Sequence, residues 1–174
     1  MPMITFHDLA VASRTQTLAW LEAISADLRP GDRDEIRATN PLLTIGEPDA
    51  LLLLTMSVMN STFAWVICDD DMPICVFGAA PTDEPSDGCI WMIGTPGMEG
   101  LKAKFVIARR TPAYLKFLHR RWRRLSNHVD ARNITSIQWL LWNGFDIEAV
   151  DLRHGRETRP FYLITSIQEE PQHL

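Results

Sequence analysis

Residues 129–145 read VDARNITSIQWLLWNGF, and the reading of this stretch decides the architecture. Asn133 offers a side-chain oxygen to a free amide of a first helical turn. Ile134, Ile137, Leu140 and Leu141 recur at helical spacing and are expected to face a core. Asn143 and Gly144 end the helix, because glycine tolerates the left-handed conformation of a helix C-terminus, and Phe145 folds back onto the apolar stripe. The stretch therefore predicts a capped helix between two short strands, NHVD before it and IEAVDLR after it.

Outward from there, MITFHDLA reads as a first strand, and Leu18, Leu21, Ile24 and Leu28 mark one face of a helix. Pro30 and Gly31 break the chain, and Asp32 is expected to cap a second, short helix with acids in its first turn. Residues 51–59 supply a further helix, in part a loop. TFAWVICDDDMPICVFGAAP is two runs of β-formers around the turn Asp69–Asp71, with Pro73 at the start of the second run. CIWMIG, after the acidic loop TDEPSDG, completes a three-strand meander. Gly94, Pro96, Gly97 and Gly100 precede a helical region over 101–125. An interruption is expected at Thr111 and Pro112, as N-cap and first residue of a second helix. FYLITSI is the last strand, and QEEPQHL reads as a frayed tail. One domain over 1–168 and a tail over 169–174 result.

The chain of 174 residues, 46% of them apolar, can bury one sizeable core. A formal charge of −5 argues against a surface built wholly for nucleic acid. Cys68, Cys75 and Cys89 have no C-x-x-C spacing, so neither a disulfide framework nor a zinc site is favoured, and a reducing compartment fits. MPMITFHDLA lacks the pattern of a signal peptide, and LLLLTMSVMN is too short to span a bilayer.

The order of elements and the stretch NITSIQWLLWNGF resemble the GNAT (Gcn5-related N-acetyltransferase) family, whose motif is N-x-x-A-x-x-L-Y-x-x-x-G-F. Asn133, Gly144 and Phe145 match, Ser136 stands for Ala, and Trp139 for Leu. The tyrosine, the family's usual general acid, falls on Leu140, which has no proton to give. The family's second signature, Q/R-x-x-G-x-G/A, places free amides at the pyrophosphate of acetyl-CoA. Here IGTPGMEGLKAKF lacks that spacing: Pro96 removes a donor, and Glu99 adds a negative charge. Over nearly its whole length the sequence resembles more specifically GNAT-like proteins of short-tailed, T7-like phages, encoded among virion structural genes. RPGDRDEI, VFGAAP, IWMIGT and VDARNITSIQWLLWNGF carry that resemblance.

Between Leu101 and Arg124 stand nine Lys and Arg residues and no acid. A helix here would put Lys116, Arg120 and Arg124 on one face and Tyr114, Leu118, Trp122 and Leu125 on another. A solvated charged face is the default reading; otherwise Lys116, Arg120, Arg121, Arg123 and Arg124 are the candidate interaction residues, for an acidic protein partner first and nucleic acid or CoA phosphates second. Asp69–Asp71 reads as a solvated turn rather than a metal site. Glu84 and Asp87 lie where a GNAT base could sit, but Asp130 is the better placed carboxylate and the candidate catalytic residue; it could also pair with Arg132. The five histidines show no metal-ligand spacing. Trp65, Trp91, Trp139 and Trp142 read as core rather than as a ligand platform; if exposed instead, Trp142 would anchor an interface.

The expected fold is α/β and GNAT-like, a mixed, mostly antiparallel sheet flanked by helices. The expected function is that of a phage virion or morphogenesis protein using a degenerate GNAT-like domain as a scaffold. It would dock on portal, tail or internal core proteins, or on copies of itself, and needs no cofactor. Its place would be the host cytoplasm during assembly, then the virion, and not a membrane. The alternative is an acetyl-CoA-dependent N-acetyltransferase. Trp91, Ile93, Gly94, Gly97 and Asn133 would then bind the cofactor, with the exposed edge of IWMIG along the pantetheine.

Overall fold

The computed structural model describes residues 3–39 and 49–168. The elements run β1 (Ile4–Asp8), α1 (Arg14–Ala26), α2 (Pro30–Thr39), α3 (Ala50–Asn60), β2 (Phe63–Asp69), β3 (Met72–Pro81), β4 (Asp87–Gly94), a 3₁₀ turn (Pro96–Glu99), α4 (Leu101–His119), β5 (Arg124–Asp130), α5 (Ile134–Trp142), β6 (Asp146–His154) and β7 (Arg159–Ile167). The seven strands form one sheet in the order β1-β2-β3-β4-β5-β7-β6. Every neighbouring pair is antiparallel except β4 and β5. The expected mixed, mostly antiparallel sheet flanked by helices is what forms. The expected frayed tail lies outside the described residues. Among the described residues, no helix is long and apolar enough to cross a membrane.

Side chains alternate across a strand, so β2, β3 and β4 feed two cores. Val66, Cys68 and Val76 meet Leu21 and Ile24 of α1 and Leu54 of α3. Trp65, Ile67, Phe77, Leu125, Val129 and Ile164 point the other way, against α4 and α5. An aromatic cluster stiffens that second core: the Trp65 ring lies 5.2 Å from Phe77 and 5.0 Å from Tyr114, centroid to centroid.

The 134–142 helix forms as its sequence dictates. The Asn133 side chain accepts from the Ser136 amide, Gly144 takes φ +84°, and Phe145 N–H returns to the Leu140 carbonyl at 3.1 Å. Ile137 and Leu140 are buried, but Ile134 and Leu141, expected in the core, are exposed, because one sheet covers only a narrow stripe of so short a helix. Trp142 is 76% exposed.

Three expectations are corrected. The interruption at Thr111 and Pro112 is absent: α4 runs through Pro112, and the Thr111 hydroxyl donates to the Ile107 carbonyl at 2.7 Å inside the helix. That helix ends at His119, so Trp122 lies in the following turn and Leu125 on β5, and the shared basic face of Lys116, Arg120 and Arg124 does not exist. Asp32 is not a cap. The second helix begins at Pro30, where a missing N–H costs nothing, and Asp32 lies buried within its first turn.

That burial is compensated. Arg29 holds Asp32 with two hydrogen bonds, Nε to Oδ2 at 2.9 Å and Nη2 to Oδ1 at 2.7 Å. Gly94 N–H donates to Asp32 Oδ2 at 2.8 Å, and Arg29 N–H donates to the Gly94 carbonyl at 2.9 Å. The start of α2 is thereby stitched to the end of β4. Removing one partner of a buried ion pair strands the other charge. Asp32→Ala is expected to lower the unfolding free energy by about 3–5 kcal/mol in urea denaturation, with Asp32→Asn costing less because it keeps an acceptor for Gly94.

Candidate functional site

Strands β4 and β5 pair only at their N-terminal ends, Asp87 with Arg124, Gly88 with Leu125 and Cys89 with Ser126. Arg124 pins this vertex, 2.8 Å from Asp87 and 2.9 Å from Glu148. Beyond it the strands part. From Ile90 to Gly94, β4 pairs with β3 on one side and, among the described residues, has no strand on the other. A cavity of about 90 Å³ occupies the wedge, lined by Ile90, Met92, Val129, Ile107, Leu118 and Leu140, with Glu35, Asn127 and Asn133 among its polar groups. A second hollow of about 260 Å³ shares Met92, Ile107, Ser136 and Trp139 with the first and continues past Glu99, Lys104 and Trp142.

Glu35 is the candidate site residue that the sequence did not single out. Carried on α2, it is partly buried and accepts hydrogen bonds from Asn133 Nδ2 at 3.1 Å and from the Asp130 backbone N–H at 3.3 Å. Burial pushes its pKa up to about 7, outweighing those two hydrogen bonds, and the nearby Asp32 and Asp130 carboxylates add to the rise. A carboxyl poised there gains and loses a proton near neutrality. One signal was available: Asp32, Glu35 and Ala38 are spaced three apart, so a helix puts them together on its inward face.

Asp130 reaches the same end of β5 with a different chemistry. Its side chain is buried and receives Arg132 Nη2 at 2.6 Å, Arg132 Nε at 3.0 Å and the Arg132 N–H at 2.9 Å. Burial alone would raise its pKa, but the hydrogen bonds from Arg132 hold it below the usual carboxylate range. It stays ionised and paired, and it serves the site through its N–H to Glu35.

Asn133 lies at the wedge, where it caps α5 with its oxygen and serves Glu35 with its nitrogen. Trp91 and Ile93 turn their side chains to the α1 and α3 core, and Trp91 Nε1 donates to Ser61 at 2.8 Å. Gly94 admits no side chain, since a Cβ would run into the Met98 sulfur. In the loop that follows, the amides are spent internally: Gly94 on Asp32, Thr95 on the Ile74 carbonyl, Gly97 on Thr95 Oγ1 and Met98 on the Thr95 carbonyl. Helix α4 begins on Gly100, which offers no side-chain cap, so its first-turn amides remain uncapped.

The candidate interaction residues are split. Lys116, Arg120, Arg121 and Arg123 are exposed at the end of α4 and in the turn after it, with Arg121 lying over the Trp122 ring at 5.5 Å. Arg124 is not among them; it is committed to Asp87 and Glu148. In the Asp69–Asp71 turn, Asp70 takes φ +53° and accepts the Met3 N–H.

No protein-family model matches the sequence, and no curated protein does. Solved structures match over almost the whole chain. A GNAT-family acetyltransferase from Bacillus anthracis aligns at TM-score 0.63 and 14% identity, covering 88% of this chain and 92% of that one. The fold is that of the GNAT acetyltransferases. The ribosomal-protein-S18-alanine N-acetyltransferase of Escherichia coli aligns at TM-score 0.64 and 11% identity over 99% of both chains. Spermidine N-acetyltransferase from Vibrio cholerae, solved with CoA and spermine, aligns at TM-score 0.62 and 16% identity over 95% of both. At these identities the likeness is one of fold, and the GNAT-fold wedge of this chain must be judged by its own residues.

A raised carboxyl pKa makes the folded state the tighter proton binder. Stability is then full below the unfolded pKa and falls as pH rises toward the folded one. Wild-type Tm is expected to drop between about pH 5 and about pH 8, by roughly 2–4 °C per kcal/mol. Glu35→Gln should flatten that slope in a differential scanning calorimetry series and be the more stable protein at the alkaline end.

Proposed function

We propose that this protein is an acyl-CoA-dependent N-acyltransferase in which Glu35 moves the proton from the acceptor amine to the departing thiol. The observation that carries this reading is a carboxyl with pKa about 7, held by Asn133 and the Asp130 N–H at the opening between two diverging strands.

The residues fit CoA in part. The edge of β4 from Ile90 to Ile93, which faces no strand among the described residues, offers backbone groups to a pantetheine arm, and the wedge offers a cavity at its end. The loop after β4 does not offer phosphate its amides. The uncapped start of α4, with Lys104 on the wall of the second hollow, supplies the positive ground instead.

Bound acyl-CoA supplies an acyl group activated as a thioester, whose transfer to nitrogen forms a C–N bond, breaks the C–S bond and releases the thiol. Glu35, ionised, accepts the N–H proton of the attacking amine and, now neutral, can return it to sulfur. One proton thus leaves nitrogen and arrives on the thiol, and the carboxylate is regenerated. Asn133 and the Asp130 N–H hold the shuttling oxygen in place, and Arg132 keeps Asp130 from competing for the proton. Leu140, where the family motif has tyrosine, makes this second role necessary.

The test is thiol release from acetyl-CoA with polyamines and N-terminal peptides as acceptors. Wild-type kcat/KM is expected to rise through about pH 7, and Glu35→Gln to lose about 100-fold or more in kcat with the KM for acetyl-CoA unchanged. A Glu35→Gln enzyme as active as wild type would remove Glu35 from the chemistry.

A second reading rests on a different observation. Inward-turned loop amides, an exposed Trp142 and the exposed Leu101 and Phe105 of α4 suit a scaffold that docks on other proteins. On that reading the chain is a virion or morphogenesis protein of a short-tailed phage, with Lys116, Arg120, Arg121 and Arg123 facing an acidic partner. Calorimetric titration separates the two: micromolar or tighter binding of CoA supports the enzyme, and its absence supports the scaffold.

A further inference from the structure

The cavity is larger and more apolar than an acetyl group requires. Its apolar wall is formed by Ile107 and Leu118 of α4, Ile90 and Met92 of β4, Val129 of β5 and Leu140 of α5. Ile107, Leu118, Val129 and Leu140 are all buried. The nearby Thr111 hydroxyl is turned back onto the Ile107 carbonyl at 2.7 Å, so it presents no free donor to this space. Glu35, Asn127 and Asn133 are polar groups of the same lining, the first and last joined by a hydrogen bond. Tyr114, Ser136 and Asn143 also line the cavity, so its wall joins a proton-handling carboxyl to a mostly apolar surface, the dry end of the site.

We propose, resting on the acyltransferase reading above, that the dry end receives the acyl chain of the donor, and that the preferred donor is a short-chain acyl-CoA longer than acetyl-CoA. An apolar cavity of 150 Å³ stays dry and accepts benzene, so the roughly 90 Å³ here takes a chain of roughly three to five carbons. An acetyl methyl would leave most of the apolar wall without partner atoms, and each missing contact forfeits dispersion energy. Each further buried methylene strengthens binding by about four-fold, so a butyryl chain gains on the order of ten-fold over acetyl. Ile107 and Leu140 are the residues that set this length.

The experiment measures Kd for CoA, acetyl-CoA, butyryl-CoA and octanoyl-CoA by calorimetry, and kcat/KM for the three acyl donors with one acceptor. The expected order has butyryl-CoA about ten-fold tighter than acetyl-CoA, with octanoyl-CoA falling off again. Ile107→Phe and, separately, Leu140→Phe narrow the cavity and should bring butyryl-CoA down toward the level of acetyl-CoA. A thermal melt shows which of the two variants is folded. If neither folds, the wild-type order alone decides. Acetyl-CoA and butyryl-CoA bound equally by wild type would overturn the chain-length inference and leave the acyltransferase standing. Failure of all four ligands to bind would overturn both.

Discussion

A backbone strand must have its amides and carbonyls paired or solvated, and among the described residues β4 has a strand partner on one side only once it passes Cys89, with Gly94 alone served on the other side by Asp32 and Arg29. The rest of the site follows from this constraint. The short parallel pairing with β5 is locked by Arg124 between Asp87 and Glu148, so the strands are joined firmly at the vertex and parted beyond it. The opening passes between the two faces of the sheet. On one side α4 and α5 roof it with apolar side chains; on the other, α2 brings a carboxyl to it.

The position of α2 depends in turn on a buried electrostatic stitch. Asp32 is tolerable inside the protein because Arg29 neutralises it and Gly94 donates to it. The same contact that holds the helix against β4 also consumes an amide that a phosphate loop would present to a ligand. Structural and ligand-binding uses of this loop compete, and here the structural use prevails for Gly94, Thr95, Gly97 and Met98. Three residues further along, Glu35 has no such ion pair among the described residues and receives hydrogen bonds from Asn133 and the Asp130 N–H. Two carboxyls on one helical face thus acquire opposite characters, one paired with a guanidinium and the other raised toward neutrality by burial. Asp130 and Glu35 repeat the contrast at the end of β5.

Local chemistry was legible in the sequence. The cap at Asn133, the left-handed Gly144 and the hairpin at Asp69–Asp71 each follow from a few adjacent residues, and they placed α5 and the meander correctly. Pro112 misled because a proline inside a helix is costly, yet tertiary packing of Ile107, Thr111 and Leu118 holds α4 together across it. The basic run misled for a related reason. Its periodicity was read through His119, where the chain leaves the helix, and Arg124 on the next strand answers to Asp87, far away in sequence. Glu35 was the hardest to see. Its meaning comes from Asp130 and Asn133, 95 and 98 residues along the chain, and nothing in RPGDRDEI marks one acid above the others except helical spacing.

The central claim is that the parted strands β4 and β5, with Glu35 between α2 and α5, form the binding site for the acyl donor. Amide and carboxyl NMR shifts followed during titration with CoA test it directly. The account predicts shifts at Ile90–Gly94, Asn127–Val129 and the start of α4, with a displaced titration of the Glu35 carboxyl. Shifts absent from these residues, or confined to the basic end of α4 and the surface around Trp142, would contradict it.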